Sequence, residues 1–203
     1  MDIVCLDLEG VLIPEIWVGV AERTGIAALK ATTREIPDYD RLMKQRLALI
    51  SQHGLKLDDV QDVVSTMQPL EGAGAFLGWL RERFQVMIIS DTFYEFAMPF
   101  MRQLDLPTLL CHRLEIDATG FIVGYRLRQE DPKRRAVQAL RGLNFRVLAA
   151  GDSYNDIGML GEADLGVLYR PPENIRTEYP RFAVAQSYAE LQALFAQASC
   201  VQA

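Results

Sequence analysis

Asp7 and Glu9 stand two positions apart in Asp7-Leu8-Glu9-Gly10-Val11, directly after the apolar run Ile3 to Leu6. Alternate residues of an extended chain share a face, so strand periodicity would put both carboxylates in one place, which is costly without a cation. A carboxylate can attack phosphorus to give an aspartyl phosphate, splitting one hard displacement into two, and a cation limits repulsion from the dianionic phosphate. The second carboxylate can protonate the leaving oxygen and then take a proton from the incoming water or alcohol. A strand followed by an acidic turn would produce the same residues, so support has to come from elsewhere in the chain.

Gly151-Asp152-Ser153-Tyr154-Asn155-Asp156 repeats the context, an apolar strand Val147 to Ala150 running into an acidic loop and then a helical stretch. Asp152 is placed to ligate a hard cation that keeps several waters, with Asn155 and Asp156 fixing water ligands or orienting neighbours. Helix capping by Asp152 or Ser153 accounts for the same pattern without a metal. Ser90-Asp91-Thr92 follows the strand Val86 to Ile89 and offers a hydroxyl and backbone amides to phosphate oxygens before a helix begins, with capping again the alternative. Lys133, just after Pro132, carries a charge poorly matched to the positive end of a helix dipole, so an anionic neighbour is expected. Arg134 and Arg135 read as solvated surface charges.

The elements that must position these groups alternate. Strand-like runs recur at Gln85 to Ile89, Thr108 to Cys111, Phe145 to Ala150, Leu165 to Leu168 and Phe182 to Ala185. Helical periodicity marks Ala73 to Arg83, Pro132 to Leu143, Asn155 to Glu162 and Tyr188 to Ala198, the last preceded by the capping residue Ser187. This alternation predicts an α/β fold with a doubly wound, Rossmann-like parallel sheet. Ligands of such sheets bind beyond the carboxyl ends of the strands at the switch point, where Asp7, Ser90 and Asp152 should converge. Two segments interrupt the pattern. Residues 14–69 are helical throughout, over Glu15 to Gly25, Asp38 to His53 and Lys56 to Met67, with Pro37 and Gly54 as breakers, and read as an inserted cap. Leu114 to Leu127 alternates on either side of Asp117-Ala118-Thr119-Gly120 and reads as a β-hairpin. The expected division is a core of 1–13 and 70–203 with a helical cap of 14–69.

Composition narrows the partners. A chain of 203 residues, half of them hydrophobic, can bury one substantial core with a small insertion. Its net charge of -6 supplies no basic field for nucleic acid, and no apolar run approaches the length that spans a bilayer. The start Met1-Asp2-Ile3-Val4 lacks a signal-like segment, so a cytoplasmic location is expected. Cys5, Cys111 and Cys200 are too few and scattered for a disulfide framework and read as reduced. With only His53 and His112 available, a metal should be held by carboxylate oxygens, which favours magnesium. A monomer or a homodimer fits equally, since aromatics such as Phe93-Tyr94 could form a contact between copies or close over a substrate.

The order Asp-x-acid, Ser-Asp, Lys, Gly-Asp-x-x-x-Asp, each attached to a strand end or helix start, resembles the haloacid dehalogenase superfamily over the whole chain. The helical insertion between the first and second motifs is similar to the cap of its phosphoserine phosphatase branch. The resemblance implies that Asp7 is the phosphorylated nucleophile and Glu9 the general acid/base, whose backbone carbonyl also reaches Mg2+. Ser90 and Lys133, with Asp91 beside them, would hold the phosphoryl group. Asp152 would ligate the metal, with Asn155 near the substrate phosphate and Asp156 in support. That branch also has a glutamate soon after the first motif and an arginine on a later cap helix, preceded seven positions earlier by an aromatic residue. Glu15, Arg46 and Tyr39 fit. Glu15 would receive a substrate ammonium and Arg46 its carboxylate, selecting phosphoserine; taken one at a time these are ordinary helix-surface charges. The family usually has aspartate in place of Glu9 and a hydroxyl residue in place of Gly10. Asp-Leu-Glu-Gly-Val, with the stretch 29–34, is similar to a subgroup that also transfers phosphate to homoserine. Two other functions stay open: hydrolysis of another small phosphate ester such as a sugar phosphate, and a catalytically silent scaffold binding a phosphorylated ligand.

Overall fold

The computed structural model describes residues 1–32, 36 and 38–199. Part of the stretch 29–34, the predicted breaker Pro37, and Cys200 lie outside the described residues. A seven-stranded sheet is built from β1 (Asp2–Leu6), β2 (Gln85–Phe93), β3 (Leu109–Ile116), β4 (Ile122–Arg126), β5 (Arg146–Gly151), β6 (Leu165–Tyr169) and β7 (Ala183–Ala185), in the order β4-β3-β2-β1-β5-β6-β7. All neighbours are parallel except β3 and β4. The chain winds outward from β1 through β2 and β3, then returns to the other side of β1 as β5. The switch point therefore lies between β1 and β5, whose carboxyl ends deliver Asp7 and Asp152. This is the doubly wound α/β fold that the alternation predicts.

Both faces of the sheet are covered, which is why its strands read as unbroken apolar runs. Val4 and Leu6 enter one core, while Ile3 and Cys5 face the other. The second core is closed by α6 (Pro132–Gly142), α7 (Ile157–Glu162) and α8 (Glu173–Glu178) through residues such as Val137, Leu160 and Ile175. The first is covered by α4 (Ala73–Arg81), α5 (Tyr94–Gln103) and α9 (Tyr188–Ala198). Ser187 caps α9 by accepting from the Glu190 amide at 3.2 Å. Between β1 and α4 come α1 (Ile16–Thr24), a 3-10 turn (Ala27–Lys30), α2 (Tyr39–Gln52) and α3 (Leu57–Thr66), with no strand among the described residues of that stretch.

Four features differ from the sequence reading. The separate segments Thr108 to Cys111 and Leu114 onward form one strand, β3, which is parallel to β2 at its start and antiparallel to β4 at its end. Ser90-Asp91-Thr92 does not end β2; the strand runs on to Phe93, although its pairing with β3 is irregular between Ile89 and Phe93. Helix α5 is obscured in the sequence by Pro99 inside it. A proline cannot bond the carbonyl four residues back, and here that carbonyl, Glu95, accepts instead from Gln61 Nε2 of α3 at 2.7 Å. Finally, Phe93 is buried against Phe96 and His112, so it is not a surface for a second copy.

The hairpin and the helices before α4 meet across the mouth of the sheet. The Tyr125 hydroxyl donates to Asp40 at 2.5 Å, and the Leu57 amide donates to the Gly120 carbonyl at 3.0 Å. Among the described residues no helix is long and apolar enough to cross a membrane.

Candidate active site

The two acidic loops close on each other at the switch point. Lys133 Nζ lies 2.9 Å from Asp7 Oδ1, 2.7 Å from Asp156 Oδ1 and 3.7 Å from Asp91 Oδ2, at 2% side-chain exposure. The anionic neighbour expected at this helix start is thus a group of three carboxylates. Asp156 Oδ2 accepts from the amides of Asp152 and Ser153 at 2.9 and 3.0 Å, completing a capping box with Ser153. Capping of this turn is thus made by Ser153 and Asp156. Asp7 Oδ1 also accepts from the Leu8 amide at 2.7 Å.

Two glycines let these carboxylates approach. Gly10 has φ +77°, and a Cβ there would sit 2.6 Å from the Asp152 carboxylate. A Cβ on Gly151 would overlap the Asp156 side chain. Asp7 and Glu9 line one cavity, and after them the chain turns through Gly10. The Glu9 carboxylate accepts from the Ile16 amide, at the start of α1, at 3.0 Å.

Asp91 joins several elements. Its Oδ2 accepts from Asn155 Nδ2 at 2.7 Å, its Oδ1 lies 3.5 Å from His112 Nε2, and its carbonyl accepts from the Tyr39 hydroxyl at 2.7 Å. Asn155 is thereby directed at Asp91, and its Oδ1 accepts from the Ser153 hydroxyl. Ser90, 2% exposed, accepts from the Thr92 amide at 3.3 Å.

On the far side, Arg46 is 7% exposed. Its guanidinium donates to the Ala31 carbonyl at 2.9 Å and lies over the Trp17 ring, 4.9 Å from the centroid, while its Nε has no hydrogen-bond partner among the described residues. A cavity of about 70 Å³ connects the two sides, lined among others by Asp7, Glu9, Glu15, Tyr39, Arg46, Ser90, Asp91, Asp152 and Asn155. Lys133 and Asp156 stand behind Asp7, so all the residues singled out from the sequence meet here.

Comparison with known proteins gives this arrangement a family. The haloacid dehalogenase-like hydrolase profile matches residues 7–161, more than half of the chain. The chain belongs to the haloacid dehalogenase-like hydrolases. It is 62% identical over 199 residues to phosphoserine phosphatase ThrH of Pseudomonas aeruginosa, covering 98% of this chain and 97% of that protein. A phosphoserine phosphatase of Pseudomonas syringae pv. tomato is 60% identical, with 98% and 84% covered. Among solved structures, a substrate-bound phosphoserine phosphatase complex superposes with a TM-score of 0.79 at 17% identity, covering 95% of this chain and 97% of that one. A phosphoaspartyl intermediate analogue of phosphoserine phosphatase also gives 0.79, at 18% identity, with 95% and 98% covered. At these identities the structural likenesses carry the fold.

The electrostatics of this haloacid dehalogenase-like site show where charge is crowded. Asp7, Asp152 and Asp156 are all buried, and each offers a carboxylate oxygen within 4.8 Å of the others. Burial and the neighbouring Asp156 push the Asp7 carboxyl well up, although Lys133 works against them. Burial opposes the charge on Lys133, yet Asp156, Asp7 and Asp91 outweigh it and hold the ammonium above its ordinary range. A set of oxygen donors whose repulsion Lys133 relieves only in part fits a hard divalent cation. Glu9 is pushed up to about 8, by burial and then by the adjacent Glu15. Asp91 behaves oppositely: burial would raise it, but Lys133, His112 and Asn155 bring it down to about 2.

Sequence reasoning missed two neighbours. His112 is 2% exposed, and its Nδ1 accepts from the Arg128 amide at 3.2 Å, which leaves Nε2 to carry the proton toward Asp91. A histidine within an apolar strand was the available signal. Trp17, 5% exposed, lies on the buried face of α1 together with Ile16, Val20 and Ala21 and looks like ordinary core in the sequence.

Proposed function

We propose that this protein is a phosphoserine phosphatase, converting O-phospho-L-serine and water to L-serine and phosphate through a phosphoaspartate on Asp7, with transfer to homoserine as a second outcome. The carrying observation is that two kinds of group open on one cavity. At one end stand Asp7 and Asp152, with Lys133 behind Asp7, and at the other the buried Arg46, whose Nε–H has no partner among the described residues. The 62% identity to ThrH over nearly the whole chain supports the same reading.

In this scheme an Asp7 carboxylate oxygen attacks phosphorus while the bond to the serine oxygen breaks, and Glu9 donates a proton to that oxygen. Glu9 then takes a proton from water as the water attacks phosphorus, releasing phosphate and restoring Asp7. An alcohol taking the water's place gives transfer. Lys133 neutralises charge on the phosphoryl oxygens, and the Ser90 hydroxyl orients them. Asp7 and Asp152, with the main-chain carbonyl of Glu9, would hold Mg2+, which when bound offsets the charge of the phosphoryl group and its carboxylate surroundings. Asp156 supports this arrangement by spending its oxygens on Lys133 and the two loop amides. Arg46 binds the substrate carboxylate and Glu15 its ammonium, with Tyr39 fixing the wall beside Asp91. Residues 14–69 act as the cap over a core of 1–13 and 70–203.

The test is phosphate release from L-phosphoserine with Mg2+, with and without homoserine, following phosphohomoserine by mass. Turnover that disappears in Asp7→Asn is expected. Turnover that survives in Asp7→Asn would sink the phosphoaspartate route, and inactivity on phosphoserine alongside activity on a sugar phosphate would replace the substrate.

A further inference from the structure

Arg46 is a cation held away from water with few partners. Among the described residues its NH2 donates to Ala31, its NH1 has the Met43 sulfur at 3.8 Å, and its Nε has no partner. Burial accordingly pulls its pKa down, although Glu9, Tyr39 and Glu15 oppose this. The guanidinium lies over the Trp17 ring, with its Cζ 4.9 Å from the centroid. That ring is itself fixed. It is 5% exposed and meets Phe96 of α5 edge-on, with centroids 5.4 Å apart and planes at 82°; Phe96 in turn meets Phe93 at 5.8 Å and 88°. A chain of perpendicular rings thus runs from the end of β2 to the face of Arg46.

A planar guanidinium recognises a carboxylate through two parallel N–H bonds, so the plane in which it is held decides whether both can form. A π face both stabilises a desolvated cation and fixes that plane. We propose that Trp17 is a positioning residue that sets selectivity for carboxylate-bearing phosphate esters, by holding the Arg46 guanidinium flat with its open edge toward the cavity. The inference rests on the reading of Arg46 as the substrate-carboxylate partner. It adds a determinant on α1, outside the motifs that identify the family.

The experiment compares Trp17→Phe and Trp17→Met. Both shrink the side chain, but only phenylalanine keeps an aromatic face, so their difference separates the face from the packing. The readout is the ratio of kcat/KM for L-phosphoserine to kcat/KM for O-phosphoethanolamine, which has the ammonium and phosphate but no carboxylate. The wild type is expected to prefer phosphoserine. Trp17→Met should lose roughly tenfold in the ratio, mainly through a higher KM for phosphoserine, the scale of one desolvated cation–π contact. Trp17→Phe should restore most of that loss. Equal losses on both substrates, or a Trp17→Phe enzyme no more selective than Trp17→Met, would overturn the proposal by showing that Trp17 only packs. A wild type with no preference would instead overturn the carboxylate reading of Arg46, and this inference with it.

Discussion

At the scale of single residues, the departures from the usual family pattern have structural reasons. Gly10 stands where the family usually carries a hydroxyl residue, and with its φ of +77° and the Asp152 carboxylate 2.6 Å from a would-be Cβ, a side chain there would be strained and would have to displace Asp152. Gly10→Ala should therefore lower stability by at least about 1–2 kcal/mol from the left-handed backbone alone. Displacing Asp152 should also cut turnover roughly a hundredfold. Thermal unfolding and kcat measured together check this; a variant with wild-type values for both would show that the loop relaxes freely. Glu9 uses its extra methylene to reach the Ile16 amide. Glu9→Asp should lose that bond and lower the ratio of phosphohomoserine to free phosphate, and an unchanged ratio would show that this residue does not govern acceptor choice. Asp7, Lys133 and Asp156 were legible because each lies at a strand end or helix start where charge needs an explanation. Trp17 and His112 were not, because a buried aromatic or a strand histidine has an adequate account as core until its neighbours are known.

At the scale of elements, Asp91 ties β2 to the loop after β5 through Asn155, to β3 through His112 and to α2 through Tyr39. Its carboxyl titrates at about 2 when folded, below the ordinary carboxylate value. A depressed folded pKa contributes stability that is fully present above the unfolded pKa and is lost as pH falls through the folded one. Asp91 is about a fifth exposed, with a side-chain value of 21%, so screening trims the contribution to on the order of 2 kcal/mol. Asp91→Asn should be less stable by about that amount above pH ~5, and denaturant titrations should show the gap closing as pH falls toward 2. A gap independent of pH would mean that the side chain acts through shape and not charge. The sequence made most strands and helices legible because burial on both sheet faces imposes apolar runs and amphipathic periods. It hid α5 behind Pro99, whose missing bond is compensated by a glutamine more than thirty positions away. It also split β3, because the strand changes partners from parallel to antiparallel where its exposure pattern changes.

At the scale of the molecule, the fold collects negative charge where a cation would be most useful. The chain carries a net charge of -6, and three of its carboxylates are buried within 4.8 Å of one another at the switch point. Magnesium bound there would stabilise the folded state, because an unfolded chain cannot assemble the three groups. At a concentration 100 times its Kd the gain is about 2.7 kcal/mol. For a chain of this size that raises Tm by roughly 5–10 °C. Surface carboxylates also attract Mg2+, so a rise in Tm alone would not locate the ion. Asp152→Asn removes one charge at the cluster and leaves the surface as it was, and it should abolish most of the Mg2+-dependent increment while retaining the small part due to screening. Calorimetry with and without Mg2+ on both proteins reads this directly, independently of turnover. An increment that persists in Asp152→Asn would place the stabilising ion elsewhere on the molecule and leave the buried carboxylates to be balanced by Lys133 alone.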